Sequence, residues 1–129
     1  MGQPICPNQG IAFAFPDVCS TPTPGGPVPV PYPNIADLSA ATGLADQLLL
    51  GGGQKALLAE SEVATSTGDE AGNAGGPTTI KGRMRVVSGS SSVLYGGKGI
   101  ARFGDPTKQN NDNADGRLMG AFATVLVGG

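Results

Sequence analysis

Between Phe15 and Ala36 the chain reads FPDVCSTPTPGGPVPVPYPNIA, and Pro27, Pro29, Pro31 and Pro33 stand at every second position. Proline has no amide donor and a fixed φ, so this stretch has lost its ladder bonds at one alternating set of sites. It is therefore neither a helix nor a central strand. It has to run extended, and its composition pulls it towards polyproline II, which rises about 3.1 Å per residue. Val28, Val30 and Tyr32 then form a short ridge on a stiff ribbon, Gly25-Gly26 is its hinge, and Asn34 is suited to starting a turn. A pre-ordered ribbon loses little entropy on binding, so Val28, Pro29, Val30, Pro31, Tyr32, Pro33 and Asn34 are the candidate partner-binding residues. Packing within the same molecule is the competing role.

The chain has 129 residues, enough for one domain (1–129) with a single modest core. It carries 22 glycines and 11 prolines and no tryptophan. Glycine inside regular elements costs about 0.5–1 kcal/mol each, so most of them must lie in turns or at close backbone approaches. Low charge content and recurring Val, Leu and Ile clusters argue for a folded chain. A net charge of −2, with no basic run, excludes nucleic acid as an expected partner. No apolar stretch reaches membrane-spanning length, and no secretory signal is visible at the N-terminus.

Ile11 to Phe15 alternates large and small residues and predicts a strand with Ile11, Phe13 and Phe15 facing the core. Ile35, Leu38 and Ala41 recur at helical spacing and predict a short helix between Ile35 and Thr42. Three segments share one pattern: Leu48-Leu-Leu-Gly-Gly, Val93-Leu-Tyr-Gly-Gly and Val125-Leu-Val-Gly-Gly. Each is an apolar β run ending in a diglycine, the mark of a tight hairpin turn with positive φ. Repetition in so short a chain predicts a repeated architecture, in which the third copy stops at its turn. Thr78 to Val87 alternates as a half-exposed strand, with Arg83 and Arg85 on its wet face. Ser61 to Pro77 and Lys108 to Asp115 read as polar loops.

Catalytic chemistry has little to stand on. The chain has no histidine, hence no Ser-His or Cys-His pair and no imidazole metal site. Lys55 and Lys81 do not fit a phosphate loop, and Asp69 and Glu70 lack calcium-loop spacing. The expectation is that the protein is not an enzyme and takes no cofactor. Cys6 and Cys19 are either two reduced thiols or a disulfide closing a short loop, while a zinc pair would lack its other ligands.

The run PDVC-x-TPTP-x-GPVPVPYPN, with STGDEAGNAGG at Ser66 to Gly76 and IARFGDP at Ile100 to Pro106, resembles the PAAR-like proteins with a PIPY-type motif. These are relatives of the PAAR spike tips of type VI secretion and other contractile injection machines. The resemblance implies an all-β, cone-like fold of short hairpins with pseudo-threefold arrangement. It also implies a structural role: capping and sharpening a trimeric VgrG-like spike, one copy per trimer, with effector cargo as a further partner and only transient membrane contact. Such a protein would be made in the bacterial cytoplasm and exported with the spike. PAAR proteins hold zinc near the point with histidines and a cysteine, and relatives often carry histidine in the stretch after Gly-Asp-Pro. Here Gln109 stands in that place, so zinc is not expected. Two alternatives remain open, a free-standing Pro-rich interaction module and a small secreted effector.

Overall fold

A computed structural model describes residues 3–50, 53–74, 80–120 and 122–128. The described chain is almost all β, with a single 3₁₀ turn at Leu38–Ala40. Its strands fall into three successive sets of four. The first set is β1 (Gln3–Ile5), β2 (Ile11–Thr21), β3 (Val28–Asp37) and β4 (Ala45–Leu49). The second is β5 (Lys55–Ala56), β6 (Glu62–Val63), β7 (Met84–Val86) and β8 (Leu94–Tyr95). The third is β9 (Lys98–Gly99), β10 (Pro106–Gln109), β11 (Ala114–Met119) and β12 (Phe122–Val127). Within each set the middle two strands pair as a hairpin, and the last strand pairs with the first strand of the next set: β4 with β5, β8 with β9, and β12 with β1.

The sets meet through a cyclic pattern of backbone bonds. The Cys6 amide donates to the Ala101 carbonyl (3.0 Å), Ala101 to Leu57 (2.9 Å) and Leu57 back to Cys6 (3.0 Å). Two residues further on, Asn8 donates to Lys55, Ala59 to Gly99 and Phe103 to Pro4, at 2.8, 2.8 and 2.9 Å. Four residues on, the carbonyls of Gly10, Ser61 and Asp105 accept from Leu38, Val86 and Leu118. The first two bonds each occur three times with the same offsets and the third recurs at equivalent acceptors, which is pseudo-threefold organisation written in the backbone. The turn after the ring is capped alike in two sets, the Leu58 amide donating to Ser61 Oγ and the Arg102 amide to Asp105 Oδ2. In the first set Pro7 has no amide to cap, and Gly10 takes the capping position.

Two apolar clusters flank this ring. One holds Cys6, Leu57 and Ala101 with Ala12, Ala36, Leu38, Val63, Met84, Val86 and Leu118. The other holds Ile5, Ala45, Leu50, Ala56, Leu58, Ile100 and Val127, with Leu48 and Tyr95 against it, and so gathers residues from all three two-stranded ribbons. The three hairpins form one six-stranded sheet, β3-β2-β11-β10-β7-β6. It curls until its ends meet, with reciprocal backbone bonds between Ile35 and Thr67 and between Thr42 and Glu62.

Several expectations change. On β2 the alanines Ala12 and Ala14 are buried, while Ile11, Phe13 and Phe15 face outward. The interior beside β2 is already filled by Leu38, Met84 and Leu118 from other segments, which leaves space there for alanine, so the register runs opposite to the amphipathic reading. The helix is reduced to Leu38–Ala40 because Ile35 to Asp37 are held in β3, and Asp37 Oδ1 accepts from the Ser39 amide. The proline ribbon is an edge strand rather than free polyproline II. Val28, Val30 and Tyr32 are paired across from Thr21, Cys19 and Asp17, and Pro29 and Pro31 fall between them.

The two hairpins foreseen at Leu48 and Val93 are present. Gly96 and Gly97 turn with φ of 59° and 85°, and a Cβ on either would meet nothing within 4 Å, so the dihedral and not crowding selects glycine. Gly51, Gly52 and Gly129 lie outside the described residues. The third segment does not stop unpaired: Val127 and Leu126 stand opposite Gln3 and Pro4, so the N-terminal strand completes its ribbon. The strand expected over Thr78 to Val87 is ordered as Met84–Val86, and residues 75–79 lie outside the described set. Lys108 to Asp115 is not a loop but a tight hairpin, with Asn110, Asn111 and Asp112 at φ of 51°, 55° and 69°. Asn and Asp accept that left-handed region better than other side chains.

Candidate functional site

Residues of the first two sequence motifs, and of the stretch that follows the third, converge on one buried polar knot. Asp17 and Cys19 come from β2, Asn34 from β3, Ser66 and Asp69 from the glycine-rich segment after β6, and Gln109 and Asn110 from the end of β10 and its turn. All seven are buried. Asn34 is the hub: its Nδ2 donates to Ser66 Oγ (2.8 Å), Asp17 Oδ2 (3.2 Å) and Asp69 Oδ2 (3.2 Å). Gln109 Nε2 donates to Asn34 Oδ1 (2.8 Å), the Asn34 carbonyl (3.0 Å) and the Ala12 carbonyl (3.2 Å), while its Oε1 accepts from Thr107 Oγ1. Asn110 Nδ2 reaches Asp17 Oδ2 (3.0 Å), and Asn113 Nδ2 reaches Asp17 Oδ1 (2.6 Å).

The backbone is shaped to bring these groups together. The Lys81 amide donates to Asp69 Oδ1 (3.0 Å), Ser66 Oγ to the Gly82 carbonyl (2.9 Å), and the Gly82 amide to Asn110 Oδ1 (3.0 Å), tying the second set of strands to the third. Gly68, at φ 111°, lets its segment lie on β3, since a Cβ there would sit 2.5 Å from the Pro33 carbonyl oxygen. Among the described residues no buried side-chain N or O atom lacks a partner, the condition under which a polar core is tolerable.

Two carboxyls in so dry a place interact strongly. Burial, followed by its hydrogen bond with Asp17, pushes Asp69 up to about 6, so it holds a proton well above the ordinary carboxylate range. Burial and then the neighbouring Asp17 push the Cys19 thiol up to about 12. Cys6 lies apart, at the backbone ring, and burial likewise pushes it up to about 12. Neither cysteine is in a disulfide: one thiol lies in the apolar core and the other against Asp17, so the bridging reading is not realised.

Asp17, Cys19 and Asp69 can each offer a ligand atom within 4.8 Å of the others. The surrounding donor set does not fit a cation, because Asn34, Asn110 and Asn113 turn amide hydrogens towards the same carboxylates. Gln109 likewise presents hydrogens to carbonyls rather than a lone pair inwards. The thiol is protonated rather than thiolate.

The candidate partner-binding residues divide. Val28, Pro29, Pro31 and Pro33 are exposed along the outer edge of β3, and Val30 and Tyr32 are half-buried, Tyr32 Oη sharing a 2.7 Å hydrogen bond with Thr21 Oγ1. Asn34 is fully buried in the knot and is bonded on every side, so it cannot meet a partner directly. Reading Ser61 to Pro77 as a solvated loop missed Ser66 and Asp69, and reading Lys108 to Asp115 as a loop missed Gln109 and Asn110. The available signal was that short polar residues sat inside the first two motifs and directly after the third.

Residues 10–116 match the family described as Toxin PAAR-like domain. The DNase toxin Tse7 of Pseudomonas aeruginosa is 35% identical over 117 residues, which cover 84% of this chain and 30% of that protein. The chain thus spans less than a third of that relative's length. No solved structure matches the chain significantly.

Proposed function

The chain belongs to the toxin PAAR-like domain family, and from that premise we propose that it is the tip of a trimeric VgrG-like spike in a contractile injection machine such as a type VI secretion system. It caps and sharpens the point that crosses the target membrane. The observation that carries this reading is the cyclic backbone ring of Cys6, Leu57 and Ala101, which gives one chain three similar sectors. A lone polypeptide with that organisation can face three identical subunits at once, one copy per trimer.

The role is mechanical. The polar knot of Asp17, Asn34, Asp69, Gln109 and Asn110 locks the first hairpin to the second and third sets, and it supports a point that needs no metal. A structural rather than catalytic role for the domain itself is supported by the buried Asp17 and Asp69 carboxyls, which are engaged by amide hydrogens. Its relative is a DNase toxin of which it spans 30%, which supports delivery of effector cargo as the wider task. The outer edge of β3 at Val28 to Pro33 braces the structure and is available to a partner. The protein is loaded in the bacterial cytoplasm and leaves with the spike.

Co-purification with a trimeric VgrG-like spike protein of the same organism, followed by native mass spectrometry, tests this. One chain per trimer is expected, and deletion should stop secretion of other effectors. A three-to-three complex would refute the account.

A further inference from the structure

We infer that Leu49, Leu94 and Leu126, the middle residues of the three repeated apolar-diglycine segments, are the contact through which the chain seats on a threefold-symmetric protein end. These side chains are 60%, 56% and 63% exposed, among the most exposed large apolar residues of the described chain. Their neighbours Leu50, Tyr95 and Val127 turn the other way and meet in one apolar cluster. The fold therefore explains the third residue of each segment and leaves the second without an internal role.

The three leucines are equivalent by position. Each lies on the last strand of its set, β4, β8 or β12, and each of those strands is paired along one edge only, in a two-stranded ribbon. The same backbone offsets that relate Cys6, Leu57 and Ala101 relate the three ribbons. The molecule thus offers one leucine and one open strand edge three times around a common axis. An open edge with an exposed apolar side chain is avoided in isolated proteins unless something covers it.

The kind of occupant follows from charge and symmetry. The ribbons carry Asp46 paired with Lys55 at 3.1 Å, and Lys98, and are otherwise uncharged in their described strands. That surface suits neither nucleic acid nor an anionic membrane, which select clustered cations. Three like contacts related by one axis complement a homotrimer presenting the same apolar strand end three times. A single peptide would engage one of the three and gain nothing from the others. This inference rests on the spike-tip reading and adds the surface to it.

The test uses the full chain and a trimeric VgrG-like spike protein of the same organism, with affinity read by biolayer interferometry. Leu49→Asp, Leu94→Asp and Leu126→Asp should each weaken binding by about tenfold, to similar extents, and the triple variant should abolish it. Thermal melts equal to wild type show that these exposed changes leave the fold intact, and Leu→Asn variants serve if any Asp variant melts early. Undiminished binding by the triple variant, with wild type binding normally, overturns the inference and leaves the spike-tip reading standing. So does loss confined to Val28→Asp on the β3 edge, or a wild-type chain that covers its leucines by self-association. Failure of the wild-type chain to bind the trimer overturns both.

Discussion

The polar knot and the ribbon cluster are held together by opposite means. In the knot, Asp17, Asn34, Ser66, Asp69, Gln109 and Asn110 are each distinct, and each is fixed by named hydrogen bonds. In the cluster, Ile5, Ala56, Ile100, Leu50, Tyr95 and Val127 are interchangeable apolar groups contributed in turn by three similar ribbons. The knot breaks the threefold pattern and the cluster obeys it. Directional bonds specify one arrangement at the cost of desolvating every member, whereas apolar packing asks only for volume and tolerates repetition.

The sharpest way to break this contrast is to delete the hub. Asn34→Ala removes one hydrogen-bond partner at once from Asp17, Asp69, Ser66 and Gln109 in a buried site, so a summed loss of about 3–5 kcal/mol is expected in urea unfolding. Leu57→Ala opens a cavity at the ring, where the surrounding apolar groups can partly collapse, and should cost about 2–4 kcal/mol by the same measurement. Equal losses at both positions would erase the distinction.

A third experiment isolates the proton in the knot. Asp69 binds its proton more tightly when folded, so its contribution is fully present below the ordinary carboxylate value. It is lost as pH rises through about 6. Wild type should therefore lose about 2 kcal/mol relative to Asp69→Asn between pH 4 and pH 7. Parallel pH profiles for the two proteins would show that the carboxyl pair does not share a proton. The smallest effect belongs to the ribbons: Gly97→Ala, at φ 85° in open space, should cost about 1 kcal/mol of backbone strain, seen as a small fall in melting temperature.

The two regions were also unequally legible in the sequence. The ribbons announced themselves, because an apolar run followed by diglycine is a local signal and occurs three times. Only the pairing of Leu126 and Val127 with Pro4 and Gln3 escaped, since no local pattern links strands from opposite ends of a chain. The knot was marked by its motifs but misread as loops, because Asp, Asn, Gln and Ser favour turns on composition alone. What buries them is the meeting of segments up to 97 residues apart, as in the bond from Gln109 to the Ala12 carbonyl. The face of β2 was inverted for a related reason. Alternation says that two faces differ, but only the neighbours brought in from other segments, Leu38, Met84 and Leu118 among them, decide that Ala12 and not Phe13 fits inside.

The backbone ring has one more implication. A socket that senses nothing but that ring would accept the chain in any of three rotational settings a third of a turn apart. Images averaged under imposed trigonal symmetry would then keep the ring sharp and smear the knot. Refinement without that averaging would recover Asn34 and its neighbours in a single sector.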